Sequence, residues 1–316
     1  MTSRHLVDPE LLPALELFPP INLSMDTLPM VRAAFQEQAA TSFEDKPLAT
    51  TEAIIVPGSS NAPPIRVMMS RPASVTSLLP ALLHIHGGGY VIGDAEMMGP
   101  MLRELAAELG CAVFSVDYRL APETVFPGGI EDCYTALKWL TENAETLRID
   151  STRIGVMGES AGGGLAAALA LLVRDRGELS LMFQHLIYPM IDDRTGITSE
   201  PHPFTGEFVW TPEHSRFGWG ALLGTAPGGP GVSPYAAAAR ATDLAFLPPA
   251  FIAVGALDLF LDEDLDYARR LARAGVPVEL HVYPGAFHGF HMAPDAKVTK
   301  AANRDSKEAL RRAFAG

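Results

Sequence analysis

Seven apolar runs, spaced along the chain and separated by amphipathic stretches, constrain the fold more than any other feature. They read "IRVMMSR", "ALLHIH", "CAVFSVDY", "RIGVMG", "FQHLIYP", "AFIAVGA" and "VELHVYP". Most lack the alternation of a half-exposed strand, so both of their faces must be covered. Between them, "MGPMLRELAAELG" ends on a glycine C-cap, and "GIEDCYTALKWLTENAETL" and "DEDLDYARRLARAG" repeat apolar residues three and four apart, as helices with one buried face do. Strand and helix in alternation specify an α/β fold: a mainly parallel central sheet with helices on both faces. At 316 residues, 48% of them hydrophobic, the chain can bury such a core in a single domain spanning 1–316.

Two segments fall outside the rhythm. A helical N-terminal stretch, about Pro9 to Ala40, precedes the first strand. Between about Ile191 and Tyr235 the alternation pauses, and Phe204, Phe208, Trp210, Phe217 and Trp219 gather among prolines and glycines. So many aromatics in one excursion need a surface to pack on, and a cap over a pocket supplies it. Residues 1–45 and about 191–235 are the expected cap elements.

The net charge of -13 repels polyanions, which excludes nucleic acid and anionic membrane surfaces as expected partners. No secretory h-region is apparent in "MTSRHLVDPELLPALELFPP", and the longest apolar run, Leu165 to Val173, is far short of the roughly 20 residues of a membrane span. Cys111 and Cys133 read as two buried thiols. A cytoplasmic protein, monomer or homodimer, is expected.

The stretch "GESAGGGLAAALALLVR" follows a strand and opens a helix, which is also where phosphate loops sit. It has neither G-x-G-x-x-G nor the Lys followed by Ser or Thr of a P-loop. It does contain G-x-S-x-G, from Gly158 to Gly162 around Ser160, the pattern of a tight turn that presents a serine. A serine hydroxyl needs a base, a carboxylate to orient the base, and donors for the developing oxyanion. Each has a candidate just after a strand. "HIHGGGY" offers the N–H groups of Gly88 and Gly89, with Ala161 adding the one after the serine; "GALDLFLDED" offers Asp258; "YPGAFHGF" offers His288. The chain order Ser, Asp, His is the order of α/β-hydrolases.

In order along the chain, "HGGGY", "DYRLAPE", "GESAGG" and "FHGF" resemble the motifs of the bacterial hormone-sensitive-lipase-like carboxylesterases, from about Leu82 to His288. "YRLAPETVFPG", "SAGGGLAAALAL" and "RATDLAFLPP" look like the heroin-esterase branch. The resemblance implies the α/β-hydrolase fold, with Ser160 as nucleophile, His288 as base, Asp258 as orienting acid and Gly88, Gly89 and Ala161 as oxyanion donors. It also implies hydrolysis of short- to medium-chain esters through an acyl-enzyme. Where the family often reads Asp-Pro-Leu-Arg-Asp-Glu, this chain has Asp258-Leu259-Phe260-Leu261-Asp262-Glu263, so two supports of the acid loop are missing. Asp262 is the runner-up acid and otherwise reads as a helix N-cap.

Other polar residues have plainer readings. His84 and His86 share one strand face without a third ligand nearby, so they fit packing and loop-orienting hydrogen bonds, and no metal or other cofactor is expected. His202, His214 and His291 read as surface or cap residues. Asp117, Arg119 and Glu123 read as an ion-paired loop, and Glu159 as tied to neighbouring loop groups. Met97, Met98 and Met101 suit an acyl pocket or ordinary helix packing. An amidase or peptidase on the same fold, and a small-ligand receptor without catalysis, are the alternative functions.

Overall fold

A computed structural model describes residues 2–17, 22–40, 49–59, 62–75 and 77–315. Eight strands, β1 (Ala49–Val56), β2 (Ile65–Pro72), β3 (Leu79–Ile85), β4 (Ala112–Val116), β5 (Ile149–Glu159), β6 (Gln184–Ile187), β7 (Ala250–Gly255) and β8 (Val278–Tyr283), form one sheet in the order β1-β2-β4-β3-β5-β6-β7-β8. β2 runs antiparallel to both neighbours; every other pairing is parallel. The expected α/β architecture with a mainly parallel sheet is present, and all seven apolar runs supply strands.

The unbroken apolar runs follow from the two cores they serve. In β3, Ala81, Leu83 and Ile85 face one core and Leu82 the other. Likewise, Ile252 of β7 faces the first core and Phe251 and Ala253 the second. Side chains alternate faces along a strand, and both faces here are dry. Helices α4 (Gly128–Glu142), the short α5 (Ala144–Leu147), α6 (Ala161–Arg176) and α8 (Leu261–Arg273) cover the first core, and α3 (Gly99–Leu109) and α9 (Lys297–Ala315) the second. α6 is buried on all sides from Ala161 to Val173, the burial expected of a helix without a polar face. Gly110 ends α3 in the left-handed conformation at φ 61, as its C-cap glycine predicts.

One sequence expectation is corrected. β1 was not among the predicted strands. It is the sheet edge, paired only to β2 and with Val56 its one buried residue, so "ATTEAIIV" carries no buried-face pattern. Among its described residues the N-terminal stretch holds the helices α1 (Leu12–Leu17) and α2 (Leu28–Ala40); the expected cap element 1–45 also takes in residues 1, 18–21 and 41–45, which lie outside the described residues. The insertion holds one further helix, α7 (Pro212–Leu223). No helix among the described residues is long and apolar enough to cross a membrane.

Candidate active site

Ser160 lies between β5 and α6 with φ 55 and ψ −122, a conformation that costs a non-glycine residue roughly 1–3 kcal/mol and persists only where surroundings impose it. They do so through hydrogen bonds. Ser160 N–H donates to Ile187 O at 2.9 Å, and Ser160 O accepts from Gly164 N–H and Met190 N–H, each at 2.9 Å. Strand and helix meet too closely for side chains. A Cβ at position 158 would stand 2.4 Å from the Gly162 carbonyl carbon, and one at 162 would stand 1.9 Å from Ile85 O.

His288, in the loop after β8, faces the serine. Its Nε2 lies 2.9 Å from Ser160 Oγ, and its Nδ1 lies 2.8 Å from Asp258 Oδ2. Asp258 is fully buried and Ser160 and His288 are each 6% exposed, so the three polar groups meet where water screens them little. The second oxygen of Asp258 accepts Phe260 N–H at 3.0 Å, and Leu257 N–H donates to Ala286 O at 2.9 Å, joining the acid loop to the histidine loop. Main-chain groups thus brace the acid where Pro and Arg are absent. Asp262 is exposed. The N-cap reading of it is corrected, since α8 begins at Leu261 after Phe260, placing Asp262 inside the first turn.

Gly88 and Gly89 have φ +114 and +60, values glycine reaches without the penalty of a Cβ. The turn is closed by Val91 N–H and Ile92 N–H, which donate to Gly88 O at 3.1 and 2.9 Å. From α2, Arg32 donates to Val91 O at 2.7 Å and Ala121 O at 2.8 Å, and pairs with Glu123. Among the described residues, the N–H groups of Gly88, Gly89 and Ala161 have no protein acceptor.

Around this centre the ordinary readings mostly stand. His84 donates from Nε2 to Glu159 at 2.9 Å and meets the Ser115 hydroxyl at Nδ1 at 2.8 Å, so it is more than packing: it ties the residue before Ser160 to the sheet. The His86 ring stacks on Tyr118 at 4.4 Å, and burial pushes its pKa down to about 4. Asp117 pairs with Arg66 and Arg119 with Asp132. Met98 packs against the second core, whereas Met101 is 39% exposed.

Sequence reasoning missed Tyr188 and the inward place of His291, and put Trp210 only in the cap. Tyr188, at φ 35 just past β6, puts its ring 4.7 Å from the His288 imidazole. Trp210 stands 6.2 Å away. His291, expected at the surface or in the cap, lies 5.5 Å from Tyr188 with Nδ1 buried. Burial pushes its pKa down to about 4, with Glu159 opposing and His288 adding to the effect. For Tyr188 a signal was available, since ligand sites in such sheets gather at the carboxyl ends of strands. For Trp210 the signal was the aromatic cluster of the insertion, read as a cap over a pocket; for His291 there was none.

A family model described as alpha/beta hydrolase fold matches residues 82–292, which include every residue placed above except Arg32 and Arg66. The chain belongs to the α/β-hydrolase family. Carboxylesterase NlhH of Mycobacterium tuberculosis is 36% identical to this α/β-hydrolase over 293 residues, 91% of this chain and 90% of the relative. Ethyl acetate hydrolase of Pseudomonas putida is 31% identical over 277 residues, 82% and 81% of the two chains. Among solved structures, one titled Bacterial Heroin Esterase superposes with a TM-score of 0.94 at 40% identity, covering 99% of each chain. These relatives put the α/β-hydrolase in the hormone-sensitive-lipase-like carboxylesterase branch that its motifs resemble.

Proposed function

We propose that this α/β-hydrolase cleaves carboxylic esters with short to medium acyl chains through an acyl-enzyme on Ser160. The hydrogen-bonded series from Ser160 through His288 to Asp258 carries the reading. His288 Nε2 takes the Ser160 proton as Oγ attacks the ester carbonyl, while Asp258 holds the Nδ1 proton in place and stabilises the imidazolium. The N–H groups of Gly88, Gly89 and Ala161 receive the oxyanion, a donor of this kind being worth about 2.7–4 kcal/mol. The imidazolium protonates the departing alkoxide, and a water deprotonated by His288 then releases the acid. Relatives named for carboxylic esters, one for ethyl acetate, support small substrates.

Residues 1–45 and about 191–235 form the cap in this reading. Ser3 of the first segment donates from N and Oγ to Glu207 of the second, at 2.5 and 2.6 Å, and Leu11 is buried in the same core as Phe287 beside the histidine. The deciding measurement is a chain-length series of chromogenic esters on the native chain and Ser160→Ala. Native turnover favours short acyl groups, and the variant loses about 10⁴-fold or more in kcat together with labelling by a fluorophosphonate probe. Undiminished turnover in Ser160→Ala overturns the mechanism.

A further inference from the structure

Trp210 is gripped from both sides. Its main-chain N–H donates to Phe208 O at 2.7 Å around Val209, whose φ is +61. A hydrogen bond closing over one positive-φ residue is the rare, strained kind of γ-turn, and a β-branched residue in that region is an outlier. On the other side Thr211 caps α7, its side chain accepting His214 N–H at 3.4 Å, and the His214 ring lies 5.4 Å from the indole. The indole rests on the oxyanion loop: a Cβ at Gly89 would come within 2.1 Å of Trp210 Cη2 and 2.6 Å of Cζ2. α7 packs against the same residue, a Cβ at Gly218 falling 2.6 Å from Gly89 O. Trp210 Nε1 is buried without a partner among the described residues. A left-handed valine and an unpaired buried N–H are both unfavourable by themselves, and both surround one ring whose neighbours are Gly89 and His288.

Those neighbours fix what the ring borders. The tetrahedral carbon bears Ser160 Oγ, the oxyanion, the leaving alkoxy oxygen and the acyl chain. The oxyanion points to Gly88 and Gly89, and the leaving oxygen points to His288 Nε2. A group that touches Gly89 and flanks His288 faces the edge between those two oxygens, opposite the acyl chain. Resting on the ester-hydrolase reading above, we propose that Trp210 is the alcohol-side specificity residue, a wall that admits esters of small or flat alcohols and excludes those of bulky branched alcohols.

The test uses acetyl esters of a small primary and a bulky branched alcohol, and acetyl and butyryl esters of one phenol. Trp210→Ala raises kcat/KM for the bulky-alcohol ester relative to the small one by about tenfold or more, while the acyl-length ratio moves by less than about twofold. Trp210→Phe, which keeps a flat ring without the N–H, retains the native preference. An unmoved alcohol ratio or a shift confined to acyl length overturns the proposal. Should Trp210→Ala fail to fold, Val209→Gly decides: it relaxes the γ-turn with the ring present and moves the alcohol ratio in the same direction, and no movement there overturns the proposal equally. Absence of an acetyl-enzyme on the native chain would instead defeat the ester-hydrolase reading itself.

Discussion

Two glycine-rich turns meet at Ser160, and glycine serves a different purpose in each. In Gly158–Gly164 no glycine needs positive φ; the left-handed residue is Ser160 itself. Here glycine is required by proximity, since a Cβ at 164 would stand 2.0 Å from Met190 O, much as 158 and 162 are blocked by main chain. In Gly87–Gly89 a conformational requirement is added, with φ +114 and +60 at the last two; a Cβ at 88 would also stand 2.0 Å from Ile92 O, whereas at 89 the nearest obstacle is a side chain, Trp210. Contact with main chain cannot be relieved by a rotamer change, whereas contact with an indole can be relieved by substitution. The first turn therefore holds up the core, and the second aims N–H groups.

Substitutions that separate those purposes have graded effects. Gly162→Ala, driven into Ile85 O, destabilises the fold by about 3 kcal/mol or more; a melt of the purified variant within a few degrees of native would break the comparison. Gly89→Ala leaves a folded protein but lowers kcat by about 10²–10³-fold, the cost of misdirecting an oxyanion donor. Combining it with Trp210→Ala restores part of the lost melting temperature and none of the turnover, because the positive φ persists; recovered turnover would show that position 89 needs only space. Asp258→Asn lowers kcat by about 10⁴-fold through the wrong imidazole tautomer, whereas Asp262→Asn stays within about twofold; the reverse order would exchange their roles.

The smallest effect concerns α8, on which the acid loop is seated. Asp264 is fully buried, and neither carboxyl oxygen has a partner among the described residues. Burial, then Glu263 and Asp258, raise its pKa well above the ordinary carboxyl range. The unfolded chain loses this proton near pH 4 while the folded chain retains it, so the group's contribution to stability falls as pH rises above about 4. Asp264→Asn removes that slope, and the melting-temperature gain of the variant over native grows from pH 5 to pH 8. A gain independent of pH would mean that Asp264 is ionised in the folded chain. Separately, the neutral burial of His86, His185 and His291, with pKa values pushed down to about 4, 3 and 4, makes native stability fall as pH drops below about 6.5.

Much of this was legible in the residues. Apolar runs marked the strands because both sheet faces are dry, and Ser160, Asp258 and His288, which the structure brings within hydrogen-bond distance, stood out because each follows such a run. β1 escaped because an exposed edge needs no apolar pattern. Trp210 was legible as a cap aromatic, but its seat on Gly89 was not, because that depends on a γ-turn at Val209, a conformation that valine itself disfavours and only the surrounding packing imposes. His291 escaped because nothing local distinguishes a histidine beside Tyr188 from one on the surface.

By itself, then, the sequence determined the layers, the strand-to-helix turns and the identity of the polar residues at their tips, all of which depend on local periodicity and on where glycine is tolerated. The tertiary structure alone decided that Asp258 and not Asp262 reaches His288, that main-chain N–H groups replace the missing braces of the acid loop, and which aromatic rings surround the imidazole. Those outcomes depend on contacts between segments 30 to 130 residues apart in the chain, whose geometry is set by the packing of the whole core and leaves no mark in any single stretch.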